Sequence, residues 1–202
     1  MSYSLFIGNL SRFPSILISE EDIPLFFLKS FKPYSHQENL ILMLDKLLNL
    51  VNAHIQEIEQ IVLYSGPGLF TSLRIGFAFA KAFYLKKPDY RLYTINSLDA
   101  LASQSCESLL IPCLPAQKEE HFFALYEEKK RISDYSIGKK SEILEKFKNF
   151  KIEFYDDFPD AEILFKAYKT LKNTLQPQDP VLSEPFYLRL PDAYLKISGN
   201  NR

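Results

Sequence analysis

The chain has 202 residues, of which 47% are hydrophobic and 24% are charged, and its net charge is −1. This is the composition of a folded globular protein, and the length suits two half-sized lobes. The near-zero charge excludes a global electrostatic field that would attract nucleic acid or an anionic membrane. Two cysteines are too few for a disulfide framework, and no run of 18 apolar residues exists to span a bilayer. Because the first residues also lack the pattern of a signal peptide, we expect a cytoplasmic protein.

The first 34 residues are predicted to form a meander of three short strands. Apolar runs at 3–7, 15–19 and 25–30 are separated by segments rich in turn-forming residues. Links this short join strands that are antiparallel neighbours.

The next segment gives the clearest helix prediction, over about 38–51. Ser35 and Glu38 have the spacing of a capping box. Leu42 and Met43 widen the apolar surface beyond one face, and such a helix is either deeply buried or shared with a second protein. The apolar positions that recur at helical intervals are Leu40, Ile41, Leu44, Leu47, Leu48 and Val51.

A Gly-Pro-Gly turn between a strand and a second long helix dominates the following region. Thr71 and Ser72 are candidate N-caps of that helix, and Asn96 or Ser97 of the next one. The predicted elements in chain order are a strand at 58–65, a helix at 70–87, a strand at 91–95 and a helix at 96–104.

A second, β-rich block begins near residue 106, which predicts a first lobe at 1–105 and a second lobe at 106–202. Pro159 lies near the first turn of the last helix, and the tail beyond that helix is predicted to be irregular. The predicted elements are strands at 108–114, 121–127, 131–138 and 151–157, and helices at 141–150 and 159–175.

Three of the six glycines fall within 13 residues, at Gly66, Gly68 and Gly76. A glycine turn before a helix can hold an anion. The segment is not a P-loop, and a Rossmann fingerprint needs glycine where this chain has Thr71. Pro67 also lacks the N–H that a phosphate cradle uses. We therefore favour a structural turn formed by Gly66, Pro67, Gly68 and Thr71, with anion binding as the alternative.

Gly76 lies inside the helix, where glycine costs roughly 1 kcal/mol relative to alanine. Together with Ala78, Ala80 and Ala82 it offers small side chains over which another helix can pack closely. The sequence predicts a helix–helix contact here, either inside the chain or with a partner.

Other candidate sites are weaker. The histidines, His36, His54 and His121, are scattered, so no metal site is predicted. Free cysteines such as Cys106 and Cys113 are usually core thiols.

A basic cluster lies near the end of the second helix, at Lys81, Lys86, Lys87 and Arg91. The favoured role is to complement the helix dipole, and the alternative is part of a tRNA-facing patch. Carboxylates such as Asp99 are predicted to be solvated and not catalytic.

Residues 66–83, "GPGLFTSLRIGFAFAKAF", resemble the G-P-G-S-F-T-G-L-R-I-G-x-x-x-A-K-G signature of the TsaB (YeaZ) family. These proteins are accessory subunits in the synthesis of threonylcarbamoyladenosine in tRNA. Residues 35–48 are similar to the family's H-S-x-x-L helix, with His36 in the histidine place. "SLDALA" (97–102) and "EPFYLRLPDA" (184–193) resemble further family segments.

The resemblance implies an α/β fold of the two-lobed actin/Hsp70/sugar-kinase class, with RNase H-like mixed sheets flanked by helices. It also implies a non-catalytic subunit that binds and activates a TsaD-like enzyme for N6-threonylcarbamoylation of adenosine in tRNA. His36 lacks the H-x-x-x-H partner of TsaD-type subunits, which favours the accessory role and argues against a metal. A TsaE-like ATPase could join the complex. The chain would contact tRNA only indirectly, and it is not expected to bind a membrane. The chain alone would form homodimers.

In this family the two long helices of the first lobe contact the catalytic subunit. Carried onto this sequence, the expected partner interface is Leu40, Leu44, Leu47, Phe70, Leu73, Arg74, Gly76 and Phe77.

The sequence departs from the family at positions that could touch a nucleotide or metal. The turn after the first strand, "IGNLS", lacks the family aspartate, and "CLPAQ" lacks the aspartate and arginine of the second lobe. Leu69 and Ser72 replace a serine and a glycine of the signature. We expect no cofactor bound by the chain alone, with ATP or ADP only at the partner interface. Two alternatives stay open: a small ATP-dependent phosphotransferase or hydrolase of the same superfamily, and a degenerate homodimeric paralogue.

Overall fold

A computed structural model describes residues 2–33 and 36–189, without the side chains of 36–38. The predicted capping box and the His36 side chain therefore lie outside the described residues, as does the end of the closing segment (190–193). The strands are β1 Tyr3–Gly8, β2 Ser15–Glu20, β3 Ile23–Lys29, β4 Ile58–Gly66, β5 Arg91–Asn96, β6 Leu109–Pro115, β7 Glu120–Phe123, β8 Tyr126–Glu127, β9 Lys130–Arg131, β10 Ser136–Lys139 and β11 Lys151–Phe154. The α-helices are α1 His36–Val51, α2 Phe70–Tyr84, α3 Ser97–Gln104, α4 Lys140–Lys146 and α5 Ala161–Leu171.

The first sheet has the strand order β3-β2-β1-β4-β5. β1, β2 and β3 are antiparallel, which confirms the predicted meander, and β4 and β5 run parallel to β1. Leu5 and Ile7 of β1 pack on one face of the sheet, whereas Phe6 packs on the other. Because both faces are covered, all six residues of β1 are buried.

The second sheet is built around β6. β7 and β8 both pair antiparallel with β6, and β11 pairs parallel with it. The strand predicted over 121–127 is interrupted at Ala124–Leu125, because Phe123 and Tyr126 pair with different ends of β6, at Cys113 and Leu110. The strand predicted over 131–138 is likewise divided, into β9 and β10.

Some helices begin at residues other than those predicted from the sequence. α2 begins at Phe70 with Leu69 as its N-cap, so Thr71 and Ser72 already lie within the first turn and the prediction that either caps the helix is wrong. The Asn96 cap is confirmed, since its side chain accepts a hydrogen bond from the Leu98 N–H.

The last helix also starts later than predicted. α5 is capped by Asp160, whose side chain accepts hydrogen bonds from the Glu162 and Ile163 N–H groups. Pro159 therefore precedes the cap and is not part of the first turn.

The same unit occurs twice: three antiparallel strands, a helix and a strand parallel to the first. It is β1-β2-β3-α1-β4 in the first half and β6-β7-β10-α4-β11 in the second. α1 and α2 cover the outer face of the first sheet, α3 and α5 lie between the sheets, and α4 covers the outer face of the second. This architecture confirms the predicted two-lobed actin/Hsp70/sugar-kinase fold. α5 packs mainly on the first sheet although it follows residue 106, and the lobe boundary at 105/106 stays a prediction.

Candidate functional site

The Gly66-Pro67-Gly68 turn is held by its own chain. Gly66 has a φ of +125°, a conformation that side-chain-bearing residues rarely adopt, and a Cβ there would overlap the Phe186 carbonyl oxygen. A Cβ on Gly68 would lie 2.5 Å from Leu10 Cδ2. The Pro67 carbonyl accepts a hydrogen bond of 2.8 Å from Ser97 Oγ. The geometry is that of a packing turn, with its neighbours already in place.

The turn after β1 has no room for the carboxylate that the family carries there. A Cβ on Gly8 would overlap Ser15 Oγ and lie 2.8 Å from the Ala161 nitrogen. Ser15 Oγ accepts a hydrogen bond from that Ala161 N–H, which ties the turn to the start of α5.

Asn9, the next residue, is fully buried, and its side chain forms hydrogen bonds with the backbone of β4. Its Nδ2 donates to the Tyr64 carbonyl at 3.1 Å, and its Oδ1 accepts from the Tyr64 N–H at 3.0 Å. Both polar atoms of the Asn9 side chain therefore join β1 to β4, and the residue has no exposed surface that a ligand could reach.

Between the two sheets lies a cleft of about 150 Å³. Small-molecule sites typically measure about 300–1,000 Å³. The second-lobe turn contributes Ala116 and Gln117 to this cleft. Its lining is mostly apolar and includes Leu69, Phe70, Leu73, Phe122, Phe158, Tyr187 and Leu188.

Residues 184–189, termed here the cleft segment, close this space. The Phe186 N–H donates to the Ser65 carbonyl at 2.8 Å, and Arg189 pairs with Glu120 at 2.7 Å. The Phe186 ring packs against Tyr135 with ring centroids 5.3 Å apart. The cleft segment thus contacts both halves of the molecule, and the "EPFYLR" resemblance marks residues that hold the lobes together.

Asp99 also connects the halves and is not the solvated carboxylate that was expected. Its two oxygens accept hydrogen bonds from Tyr126 at 2.5 Å and Tyr135 at 2.7 Å. Burial and the neighbouring Asp99 charge raise the pKa of both tyrosines well above their ordinary value. The two phenols stay protonated and act as donors that fix α3 to the second sheet.

Most residues of the expected partner interface are core residues of this chain. A side chain without accessible surface cannot contact a second protein, so the assignment of these five to the interface is corrected. They are Leu40, Leu44, Leu47, Leu73 and Phe77, and none is more than 6% exposed.

Gly76 is likewise internal. A Cβ at this position would lie 2.6 Å from Asn9 Cβ, so Gly76 packs against the β1 turn of the same chain and the helix–helix contact predicted at this residue is wrong. Ser72, one turn earlier, donates through Oγ to the Ser11 carbonyl at 2.9 Å. The buried side of α2 is therefore fitted to residues 9–11.

Phe70 and Arg74 lie beside the cleft segment. The half-buried Phe70 ring packs against Tyr187 with centroids 4.9 Å apart, and the Arg74 guanidinium lies 4.9 Å above the Phe70 ring. Arg74 is exposed, so of the expected interface residues these two keep accessible surface.

A different set of apolar side chains is exposed on the outer helices. Ile41 is 65% exposed and Leu42 is 58% exposed, and Ala78 and Ala82 are exposed on α2. We call these four residues the α1–α2 face. The sequence signalled only part of this face: Leu42 falls outside the main helical stripe, whereas Ile41 belongs to it.

The cysteines and histidines give no further site. Cys113 is buried, which raises its pKa to about 12, but Cys106 is exposed, so the core role predicted for it is wrong. Burial lowers the pKa of His121, whose ring packs edge-on to Phe154 at 4.8 Å. Among residues 2–33 and 36–189, no three His, Cys, Asp or Glu side chains are grouped to hold a metal. The helices of this part of the chain are all too short or too polar to cross a membrane.

Comparison with known proteins places this architecture in a family. The family described as "TsaD: tRNA N6-adenosine threonylcarbamoyltransferase" matches residues 33–183. The "Uncharacterized protein MG208 homolog" of Mycoplasma pneumoniae is 24% identical over 161 residues, 77% of this chain and 80% of that protein.

Solved structures agree with the fold. YeaZ from Pseudomonas aeruginosa has a TM-score of 0.76 at 15% identity, covering 93% of this chain and 100% of that one. A Pseudomonas aeruginosa protein described as uncharacterised, with similarity to the peptidase YeaZ, has a TM-score of 0.76 at 16% identity, covering 94% and 100%. The resemblance carried by residues 66–83 is confirmed: the chain belongs to the TsaD family of tRNA N6-adenosine threonylcarbamoyltransferases and has the fold of its YeaZ (TsaB) members.

Proposed function

We propose that the chain is a non-catalytic subunit that binds a TsaD-like transferase through the α1–α2 face and activates it for N6-threonylcarbamoylation of adenosine in tRNA. The observation that carries the proposal is the exposure of large apolar side chains on neighbouring outer helices. Ile41 and Leu42 expose more than half of their surface, and Leu85 at the end of α2 is 82% exposed. Contiguous exposed apolar surface marks interaction sites in soluble proteins.

The small side chains exposed on α2 determine what can dock. Ala78 and Ala82 are one helical turn apart on the outer side of α2. Alanines let a second helix approach closely, whereas Ile41 and Leu42 supply apolar area. This combination fits a helix pair on the partner. Without the partner, the same face would pair with a second copy of the chain, which is why we expect homodimers.

The inner turns favour an accessory role over independent catalysis. Gly8 has no room for a carboxylate, Asn9 is bonded to the Tyr64 backbone, and the cleft segment lines a cleft of only about 150 Å³ between the lobes. An ATP-dependent phosphotransferase needs acidic groups for Mg²⁺ at such turns. ATP or ADP would accordingly bind at the partner interface, where a TsaE-like ATPase could join. Nucleotide binding by the isolated chain would favour the enzyme alternative.

The experiment is light scattering of the chain, alone and mixed with the TsaD homologue of the same cell. We expect a heterodimer at micromolar concentrations, and threonylcarbamoylation of tRNA that depends on both proteins. Ile41→Glu should weaken the complex at least tenfold, because it places an unpaired charge in an apolar interface. Ile132→Glu is the matched control: Ile132 is an exposed isoleucine (52%) next to β9 of the second sheet, outside the α1–α2 face.

Two results would overturn the proposal. One is a homodimer that forms no mixed species with the transferase at any ratio. The other is an equal loss of the complex in both glutamate variants, which would mean that added charge, and not its position on the α1–α2 face, disturbs binding.

A further inference from the structure

A local excess of positive charge lies on the outer side of the second lobe. Residues 139–151 carry five lysines and two glutamates, a net charge of +3 within a chain whose total is −1. These residues form the end of β10, all of α4 and the start of β11. All five lysines are exposed: Lys139, Lys140, Lys146, Lys148 and Lys151.

None of these lysines forms an ion pair with any residue in the part of the chain that the structure describes. Elsewhere several basic side chains are paired with a carboxylate. The paired examples are Lys29–Asp160, Lys87–Asp89, Arg91–Glu59, Lys166–Glu162 and Lys172–Asp22. The 139–151 segment therefore keeps its local net positive charge.

Aromatic rings lie among these lysines. Lys140 Nζ is 4.6 Å above the Phe154 ring, and Lys146 Nζ is 5.3 Å above the Phe147 ring. Phe147 and Phe150 are half-buried, each with one part in the outer core and another in reach of solvent. Cationic side chains interleaved with accessible rings are typical of surfaces that contact RNA, where lysines meet phosphates and rings stack on unpaired bases.

We infer that the α4 surface of residues 139–151 is an RNA-contacting surface that helps to hold the tRNA substrate of the complex. This rests on the proposed function for the identity of the RNA. RNA binding at the α4 surface is compatible with partner binding at the α1–α2 face. The reason is that α4 covers the outer side of the second sheet, whereas α1 and α2 cover the outer side of the first. The basic cluster near the end of α2 is the weaker candidate, because Lys81, Lys87 and Arg91 are each paired with a carboxylate.

The test compares two variants of equal net charge. One is K139Q/K140Q/K146Q/K148Q, which removes charge from the α4 surface. The control, K29Q/K87Q/K166Q/K172Q, removes four lysines that are paired elsewhere. Binding of the full chain to a fluorescently labelled tRNA transcript is measured by anisotropy over a range of salt concentrations, with circular dichroism to verify folding.

We expect the α4 variant to bind tRNA at least tenfold more weakly at low salt, and the control to lose less than threefold. The slope of log affinity against log salt should fall by about 3 for the α4 variant, since each lost phosphate contact accounts for about 0.7–0.9. Equal losses in both variants would show only a net-charge effect and would overturn the inference, as would unchanged binding in the α4 variant.

Light scattering with the TsaD homologue separates this inference from the proposed function. The α4 variant should form the heterodimer normally. A different result would be that the α4 variant no longer forms the heterodimer and that the wild-type chain does not bind tRNA. The lysines would then contact an acidic surface of the protein partner, and the RNA assignment would be wrong. If the heterodimer never forms but tRNA binding follows the expected pattern, the proposed function fails and the RNA surface stands.

Discussion

The two sides of α2 have similar residues and opposite environments. The inner side places Leu73 and Phe77 in the core, at 0% and 3% exposure. The outer side leaves Ala78 and Ala82 exposed to solvent. In the sequence both sides are apolar, so hydrophobicity alone does not say which one packs on the sheet. The difference shows that an apolar helix surface divides into a part that folds the chain and a part that stays exposed to solvent.

The inner side is distinguished by its fit to one loop. Gly76 packs closely against Asn9. The Ser72 hydroxyl donates a hydrogen bond to the Ser11 carbonyl, and the Asn9 side chain forms hydrogen bonds with the Tyr64 backbone. These contacts link α2, the β1 turn and β4 into one unit. Substitutions at neighbouring positions of α2 should therefore have very different consequences.

The largest effect is expected for Gly76→Leu. The new side chain would overlap Asn9, which is itself enclosed, so the free energy of unfolding should fall by about 3 kcal/mol or more. Ala78→Leu, two residues along on the exposed outer side, should change it by less than about 0.5 kcal/mol. Urea unfolding followed by circular dichroism measures both. Equal stability of the two variants would contradict the assignment of the inner and outer sides.

A smaller loss is expected for Asn9→Ala. The substitution leaves the buried Tyr64 N–H and carbonyl without partners, and each such group costs about 1–3 kcal/mol. We expect a total loss of about 2–4 kcal/mol in urea unfolding. The control is Asn49→Ala on the exposed side of α1, where the side chain bonds only Asp45 at 3.3 Å, and its loss should stay under about 1 kcal/mol. A tolerated Asn9→Ala would mean that the β1 turn does not need this bridge.

The fold was predictable because its signals are local. Alternating apolar strands, a long amphipathic helix and the Gly-Pro-Gly turn gave the meander and the order of elements, and the 66–83 motif gave the family. The predicted ends of strands and helices were wrong where tertiary contacts determine them. β7 and β8 separate because each pairs with its own end of β6, and α2 starts before Thr71 because the Leu69 N–H bonds to Leu10.

The candidate site was predicted less well, for a physical reason. Leu40 and Ile41 are adjacent and equally apolar, but Leu40 is 2% exposed and Ile41 is 65% exposed. The difference depends on where the sheet lies relative to α1, which no spacing along the helix reveals. Similarly, the role of Gly76 follows from Asn9, 67 positions away in the sequence, and Asn9 carries no motif of its own.

The smallest expected effect lies at the border between the two sides of α2, where Lys81 forms an ion pair with Glu184 of the cleft segment. Lys81 is 35% exposed and Glu184 is 70% exposed, so solvent screens the pair and its coupling energy should be about 0.5 kcal/mol or less. A double-mutant cycle with Lys81→Ala and Glu184→Ala measures this coupling, and the exposed Lys166–Glu162 pair within α5 is the reference. Both couplings should decline in 0.5 M salt, by about half or more. A coupling above about 2 kcal/mol that persists in salt would show instead that this pair anchors the cleft segment, and Lys81 would then belong to the inner side of α2, with the residues that hold the lobes together.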